Sequence, residues 1–183
     1  MFDKIKEIEK KKDHFVLLLV ASAKDYKKET IDLLHYFVDE GNSQCIYITA
    51  NEAYSILAED LKAENVRTDQ IFFIDMVTKY VGTPKEEAPN CIFIDSPQDL
   101  TDMAIVMQQA ADHFKGKCPL IILDSISTLL IYNDIKVISK FSHFFTEKIK
   151  LWKAKGVVFS VQKETDEKLM ELLTQFCDER VDL

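Results

Sequence analysis

The chain has 183 residues, of which 47 % are apolar and 30 % charged, and its formal net charge is −8. That length suits one globular domain around a single core. The acidic balance opposes the phosphate attraction behind non-specific binding to nucleic acid or to an anionic membrane, and no apolar run approaches membrane-spanning length.

Residues 1–13 read as a short helix with Phe2, Ile5 and Ile8 on one side and lysines on the other, inside the only concentrated basic stretch, KIKEIEKKK. Six short apolar runs follow: FVLLLVA (15–21), CIYITA (45–50), IFFID (71–75), CIFIDS (91–96), PLIILDS (119–125) and GVVFSVQ (156–162). Most are apolar nearly throughout, as strands covered on both faces should be. Between them lie stripes of helical period: Leu100, Met103, Met107, Ala110 and Phe114; then Ile138, Phe141, Phe145, Ile149 and Trp152; then Leu169, Leu172, Leu173 and Phe176. Strand–helix alternation of this kind predicts an α/β fold with a parallel sheet and right-handed crossovers. Residues 76–90, MVTKYVGTPKEEAPN, carry Gly82, Pro84 and Pro89 and read as a surface loop. With no linker, repeat or low-complexity tract, residues 1–183 read as one domain.

The four cysteines, Cys45, Cys91, Cys118 and Cys177, form no CxxC pair and no cluster at metal spacing. They read as small buried residues of a reducing compartment, and the absence of a signal-type apolar start makes a cytoplasmic location the expectation. The four histidines are far apart, no serine or cysteine sits in a nucleophile elbow, and Gly116-Lys117 precedes a strand and reads as a turn. LDSIST departs from a DxSxS metal site because Ile126 stands where a serine is needed.

Parallel sheets place ligands at the carboxyl ends of their strands. Five runs end near a polar residue: Ser22, Thr49, Asp75, Asp95 and Asp124. PLIILDS has the form of a Walker B strand, whose carboxylate holds the water shell of a magnesium ion. When Ala21 is set at the start of GxxxxGK[ST], Tyr26 falls on the second glycine, Lys27 on the lysine and Lys28 on the Ser/Thr. Tyrosine in a conformation suited to glycine costs roughly 1–3 kcal/mol, and Lys28 cannot ligate magnesium. Hydrogen bonds to a charged group contribute roughly 1.5–3 kcal/mol each, so losing about three removes most of the 8 kcal/mol of a micromolar ligand. KDYKKE therefore reads either as the remnant of a phosphate loop or as a solvated loop that opens a helix.

The order of these parts resembles the RecA-superfamily ATPases, in particular the KaiC-like branch common in archaea. QCIYITANEAYSILAEDLKAENV is similar to that family's second strand and following helix, and its pair of catalytic carboxylates matches Asn51 and Glu52 here. PLIILDSISTLLIYND is similar to the Walker B strand and places Asp124 at the metal position; GVVFSVQKETDEKLMELLTQFCDERVDL resembles a shortened domain end, finishing in an edge strand at residues 180–183. The resemblance implies a three-layer α/β/α RecA-like fold of P-loop NTPase topology around a mainly parallel sheet. Lys27, Glu52 and Asp124 carry over. The glycines, the magnesium hydroxyl and one of the paired acids do not, which implies a degenerate Walker A motif. The function expected is a pseudo-ATPase without catalytic activity, acting through a protein partner or as a homo-oligomer, with no cofactor. The alternative is a weak nucleotide binder or slow ATPase that uses Lys27, Glu52 and Asp124 with ATP and magnesium. DNA engagement, known among RecA relatives, is opposed by the charge.

Overall fold

A computed structural model describes residues 2–84, 88–114, 119–162 and 165–183. The Gly116-Lys117 turn, Cys118 and residues 85–87 of the loop lie outside the described residues.

The apolar runs become strands: β1 (Phe15–Ala21), β2 (Cys45–Thr49), β3 (Ile71–Asp75), β4 (Cys91–Phe93), β5 (Leu120–Asp124) and β6 (Lys155–Val161), joined by β7 (Glu179–Asp182). Every described pairing is parallel, in the order β4-β3-β2-β5-β6-β1-β7. Parallel neighbours need crossover connections, and here the crossovers are helices that cover both faces of the sheet. The helices are α1 (Phe2–Glu9), which precedes β1, then α2 (Tyr26–Leu34), α3 (Tyr54–Ala63), α4 (Thr78–Val81), α5 (Leu100–His113), α6 (Ile126–Tyr132), α7 (Ile135–Leu151) and α8 (Glu167–Phe176).

Side chains along a strand alternate between faces, and β1 shows the division. Val16, Leu18 and Val20 join a core with α5, α6, α7 and α8, whereas Phe15, Leu17 and Leu19 join a second core with α1, α2 and α3. The result is a three-layer α/β/α architecture. β1, β2 and β5 are buried at every position, which explains why their sequences do not alternate. The helical stripes also face inward, although Phe114, Trp152, Leu172 and Phe176 end half-buried.

The run 91–96 shortens to three paired residues because β4 lies at the sheet edge, where Ile92 is exposed. The segment 76–90 starts with buried Met76 and the single turn of α4. Asp75 holds that turn: its carboxylate accepts from the Val77 and Thr78 N–H groups at 2.6 and 2.8 Å. The apolar face of α1 is used within the domain itself. Ile5 is fully buried, and Glu9 accepts from the Tyr36 hydroxyl and from Lys155, both at 2.5 Å.

Gly156 sets how closely α7 approaches β6. A Cβ there would lie 2.8 Å from Ile149 Cδ1, 3.0 Å from its Cγ2 and 3.4 Å from Val16 Cγ1. Overpacking a dense core costs roughly 1–3 kcal/mol, so Gly156→Ala should destabilise by that amount in urea unfolding. Combining it with Ile149→Val, which removes the nearest methyl, should cost less than the sum of the two single changes. Full additivity would show that the approach is not tight.

Candidate functional site

The β1–α2 junction occupies only four residues, Ser22 to Asp25. The Ser22 carbonyl accepts from the N–H groups of Asp25 (3.2 Å) and Tyr26 (3.0 Å), and the Asp25 N–H also reaches the Ser22 hydroxyl at 3.2 Å. These N–H groups are thus bonded within the turn. Tyr26 is the first residue of α2, and its ring turns into the core, edge-on to Phe159 at 5.3 Å between centroids. The strain expected of a tyrosine in a glycine conformation does not arise. Among the described residues other than glycine, positive φ is confined to Asn42, Asn65 and Lys153.

A cavity of about 140 Å³ opens beside this junction, between α2, α3 and the tips of β2 and β5. Lys27, Glu52 and Asp124, named from the sequence, all line it. The register explains Asp124: Thr49 pairs with it across β2 and β5, so its side chain shares a face with Tyr47 two residues back. The Tyr47 hydroxyl donates to Asp124 Oδ2, while Asp124 Oδ1 has no partner. The Tyr26 hydroxyl is likewise buried without a partner. Each such group costs roughly 1–3 kcal/mol if left unsatisfied.

Glu52 is placed by a turn that Thr49 ties together. The Thr49 hydroxyl donates to the Glu52 carbonyl at 2.5 Å and accepts from its N–H at 3.2 Å. From the mouth of the cavity, Glu52 Oε1 lies 3.4 Å from Lys27 Nζ, which also donates to Asp60. The hydrogen bond to Asp60 is the main influence that lifts the Lys27 pKa, against a smaller opposing effect of burial. The Lys27 side chain is 54 % exposed, so these pairs contribute about 0–1 kcal/mol each. Asn51 is bonded elsewhere, accepting from the Thr128 hydroxyl at 3.1 Å.

The other strand-tip acids do not join this cluster. Asp75 is occupied by α4 and by the Tyr54 N–H at 2.8 Å, and Asp95 pairs with Lys79 at 2.8 Å on the surface. The serines of LDSIST are structural. Ser125 caps α6, and Ser127 accepts from the Val161 N–H at 2.7 Å. Burial raises the Cys91 and Cys177 thiols to about 12, far from a reactive thiolate. Among the described residues, no group of three or more His, Cys, Asp or Glu side chains is placed to hold a metal ion. None of the described helices is long and apolar enough to cross a membrane.

Tyr47 and Asp60 were not singled out from the sequence. A tyrosine in the middle of the apolar run CIYIT was the available signal, because a buried phenol needs a partner. Asp60 gave no local signal; only the fold brings α3 opposite Lys27.

A family model described as a family of unknown function, DUF7504, matches residues 16–183. The chain belongs to that family. No curated protein matches it. Among solved structures, this DUF7504 member is similar to the crystal structure of a KaiC-like protein from the hyperthermophilic archaeon Pyrococcus horikoshii. The TM-score is 0.64 at 11 % identity, over 92 % of this chain and 71 % of that one. The seven-stranded parallel sheet and its helices thus form an α/β fold matching that RecA-like neighbour, and at this identity the likeness concerns fold alone.

Burial raises the Asp124 pKa from 3.8 to about 8. The folded chain therefore holds this proton more tightly than the unfolded chain does. The linked stability is complete below pH 3.8, declines as pH rises and is lost once pH passes about 8. The unfolding free energy of the wild type, measured by urea denaturation, should fall relative to that of Asp124→Asn between about pH 4 and pH 8. Parallel pH profiles for the two proteins would refute this.

Proposed function

We propose that this chain is a KaiC-like pseudo-ATPase with a degenerate Walker A motif, acting without catalysis as a regulatory or assembly module through protein–protein contacts. The closed β1–α2 junction carries the reading. Its Asp25 and Tyr26 N–H groups bond back to Ser22, and the Tyr26 ring is buried against Phe159. Residues that cradle a phosphate turn such groups outward.

The rest of the set fits magnesium nucleotide equally poorly. Lys28 stands at the hydroxyl position and pairs with Asp32. Lys27 is engaged by Glu52 and Asp60. Asp124, with a pKa near 8, is mostly neutral at pH 7 and so a weak ligand for a hard cation. Contacts with a protein partner or a second copy have apolar surface to use, since Val81 and Ile131 are 70 % and 76 % exposed. The net charge of −8 argues against nucleic acid as the partner. Cytoplasmic residence is part of the same reading.

One observation favours the alternative, a weak nucleotide binder or slow ATPase: Lys27, Glu52 and Asp124 line the same cavity. Titration with a fluorescent ATP analogue, with and without magnesium, separates the two readings. No saturable binding is expected up to millimolar nucleotide, and Tyr26→Gly should not create any. Micromolar binding that Lys27→Ala or Asp124→Ala abolishes would overturn the pseudo-ATPase reading.

A further inference from the structure

α5, α7 and α8 cover the same face of the sheet, but their outer surfaces differ. α8 has the ordinary pattern: its exposed residues, Glu167, Lys168, Glu171, Thr174 and Gln175, are all polar. α7 fills the core with Ile138, Phe141, Phe145 and Ile149 and carries a second apolar line as well. Val137, Phe144 and Leu151, seven residues apart, are 45 %, 41 % and 75 % exposed. On α5, Ile105 is 50 % exposed in the middle of the helix. Apolar residues on the outside of helices that already fill their own core mark a contact surface.

Charge indicates what covers it. α7 carries Lys136, Lys140, Lys148 and Lys150 against Glu147 alone, in a chain of net charge −8. α5 carries Asp102 and Asp112 and no lysine or arginine. The two helices run the same way, because each leads back into one of the parallel strands β5 and β6. Their heights are tied where Lys148 donates to Gln108 Oε1 at 3.1 Å. Counting back from that pair by the helical rise puts Ile105 level with Phe144, and Asp102 level with Lys140, within about 3 Å. A basic helix and an acidic helix thus lie in one layer with their features at matching heights.

We infer that this layer binds a second copy of the chain, with α7 of each copy lying over α5 of the other about a twofold axis parallel to both helices. Such an axis leaves heights unchanged. Phe144 then meets Ile105 of the partner subunit and Lys140 meets the partner's Asp102, and symmetry makes each contact twice. Packing α7 on α7 would instead set lysines against lysines. Two helices from each copy also give a broader contact than one, as the roughly 1,200–2,000 Å² of a specific interface requires. The inference rests on the part of the proposed function that assigns protein–protein contacts, and it names the partner.

The test is sedimentation equilibrium of the full chain from micromolar to millimolar concentration, where a reversible monomer–dimer equilibrium is expected. Phe144→Asp should weaken the dimer at least tenfold. Ile56→Asp, at a half-exposed isoleucine of α3 on the opposite face of the sheet, should leave it unchanged. Lys140 and Asp102 are exposed, so exchanging their charges keeps the fold, which circular dichroism checks. Lys140→Glu and Asp102→Lys should each weaken the dimer at least tenfold, because each sets like charges together twice. The double variant should restore it, and the two single variants, once mixed, should pair with each other. A chain that stays monomeric at millimolar concentration, a dimer indifferent to Phe144→Asp, or a double variant no tighter than the single ones overturns the inference. A monomer that binds no nucleotide would leave the pseudo-ATPase reading standing, whereas saturable nucleotide binding would overturn that reading whatever the oligomeric state, so the two failures are distinguishable.

Discussion

A carboxyl group that has lost its water and keeps one hydrogen-bond donor holds its proton well above the ordinary range, and Asp124 is kept in that condition by a sheet covered on both faces. The depth is set by topology. β5 lies between β2 and β6, so the Asp124 tip is walled by neighbouring strands, and the following peptide enters α6 at once through the Ser125 cap. The Tyr47 hydroxyl comes from the adjacent strand on the same face and fixes the orientation of the carboxyl group. The unsatisfied Oδ1, the polar wall of the cavity and the pH dependence of stability all follow from that single placement.

The β1–α2 junction is the second determinant. Tyr26, the first residue of α2, does not strain the junction, because its ring packs into the core against Phe159. Once Tyr26 is anchored on Phe159, the turn closes on Ser22, and Lys27 emerges one residue along the helix toward α3. There it meets the carboxylates of Glu52 and Asp60. Tyr26 thus closes the junction, and a small cavity with acidic lining lies beside it.

The fold was largely legible in the sequence because burial on both faces leaves an unmistakable pattern. FVLLLVA and PLIIL have no polar positions to alternate, and helical stripes such as Ile138 to Ile149 mark what covers them. β4 was overread for the complementary reason: an edge strand pairs on one side only, so the apolar run CIFIDS outlasts its three paired residues. Lys27, Glu52 and Asp124 could be named through the family resemblance, and they do line one space. What could not be read was the behaviour of side chains that act across the fold. Whether the ring of Tyr26 points out or in depends on Phe159, more than a hundred residues away. The grip of Asp60 on Lys27 depends on how α3 lies against α2.

The two margins of the sheet bear on how this chain can meet another protein. β4 offers three residues, and β7 turns Glu179, Arg180 and Asp182 outward around the single buried Val181. A short edge and a charged edge are both poor templates for a visiting strand, whose main chain would need a long, flat, uncharged row of N–H and C=O groups. Strand addition is thereby discouraged at both ends, which protects a very apolar sheet from intermolecular β-pairing. Any approach by another chain would accordingly be left to helix faces and loops, where side chains rather than main chain make the contact.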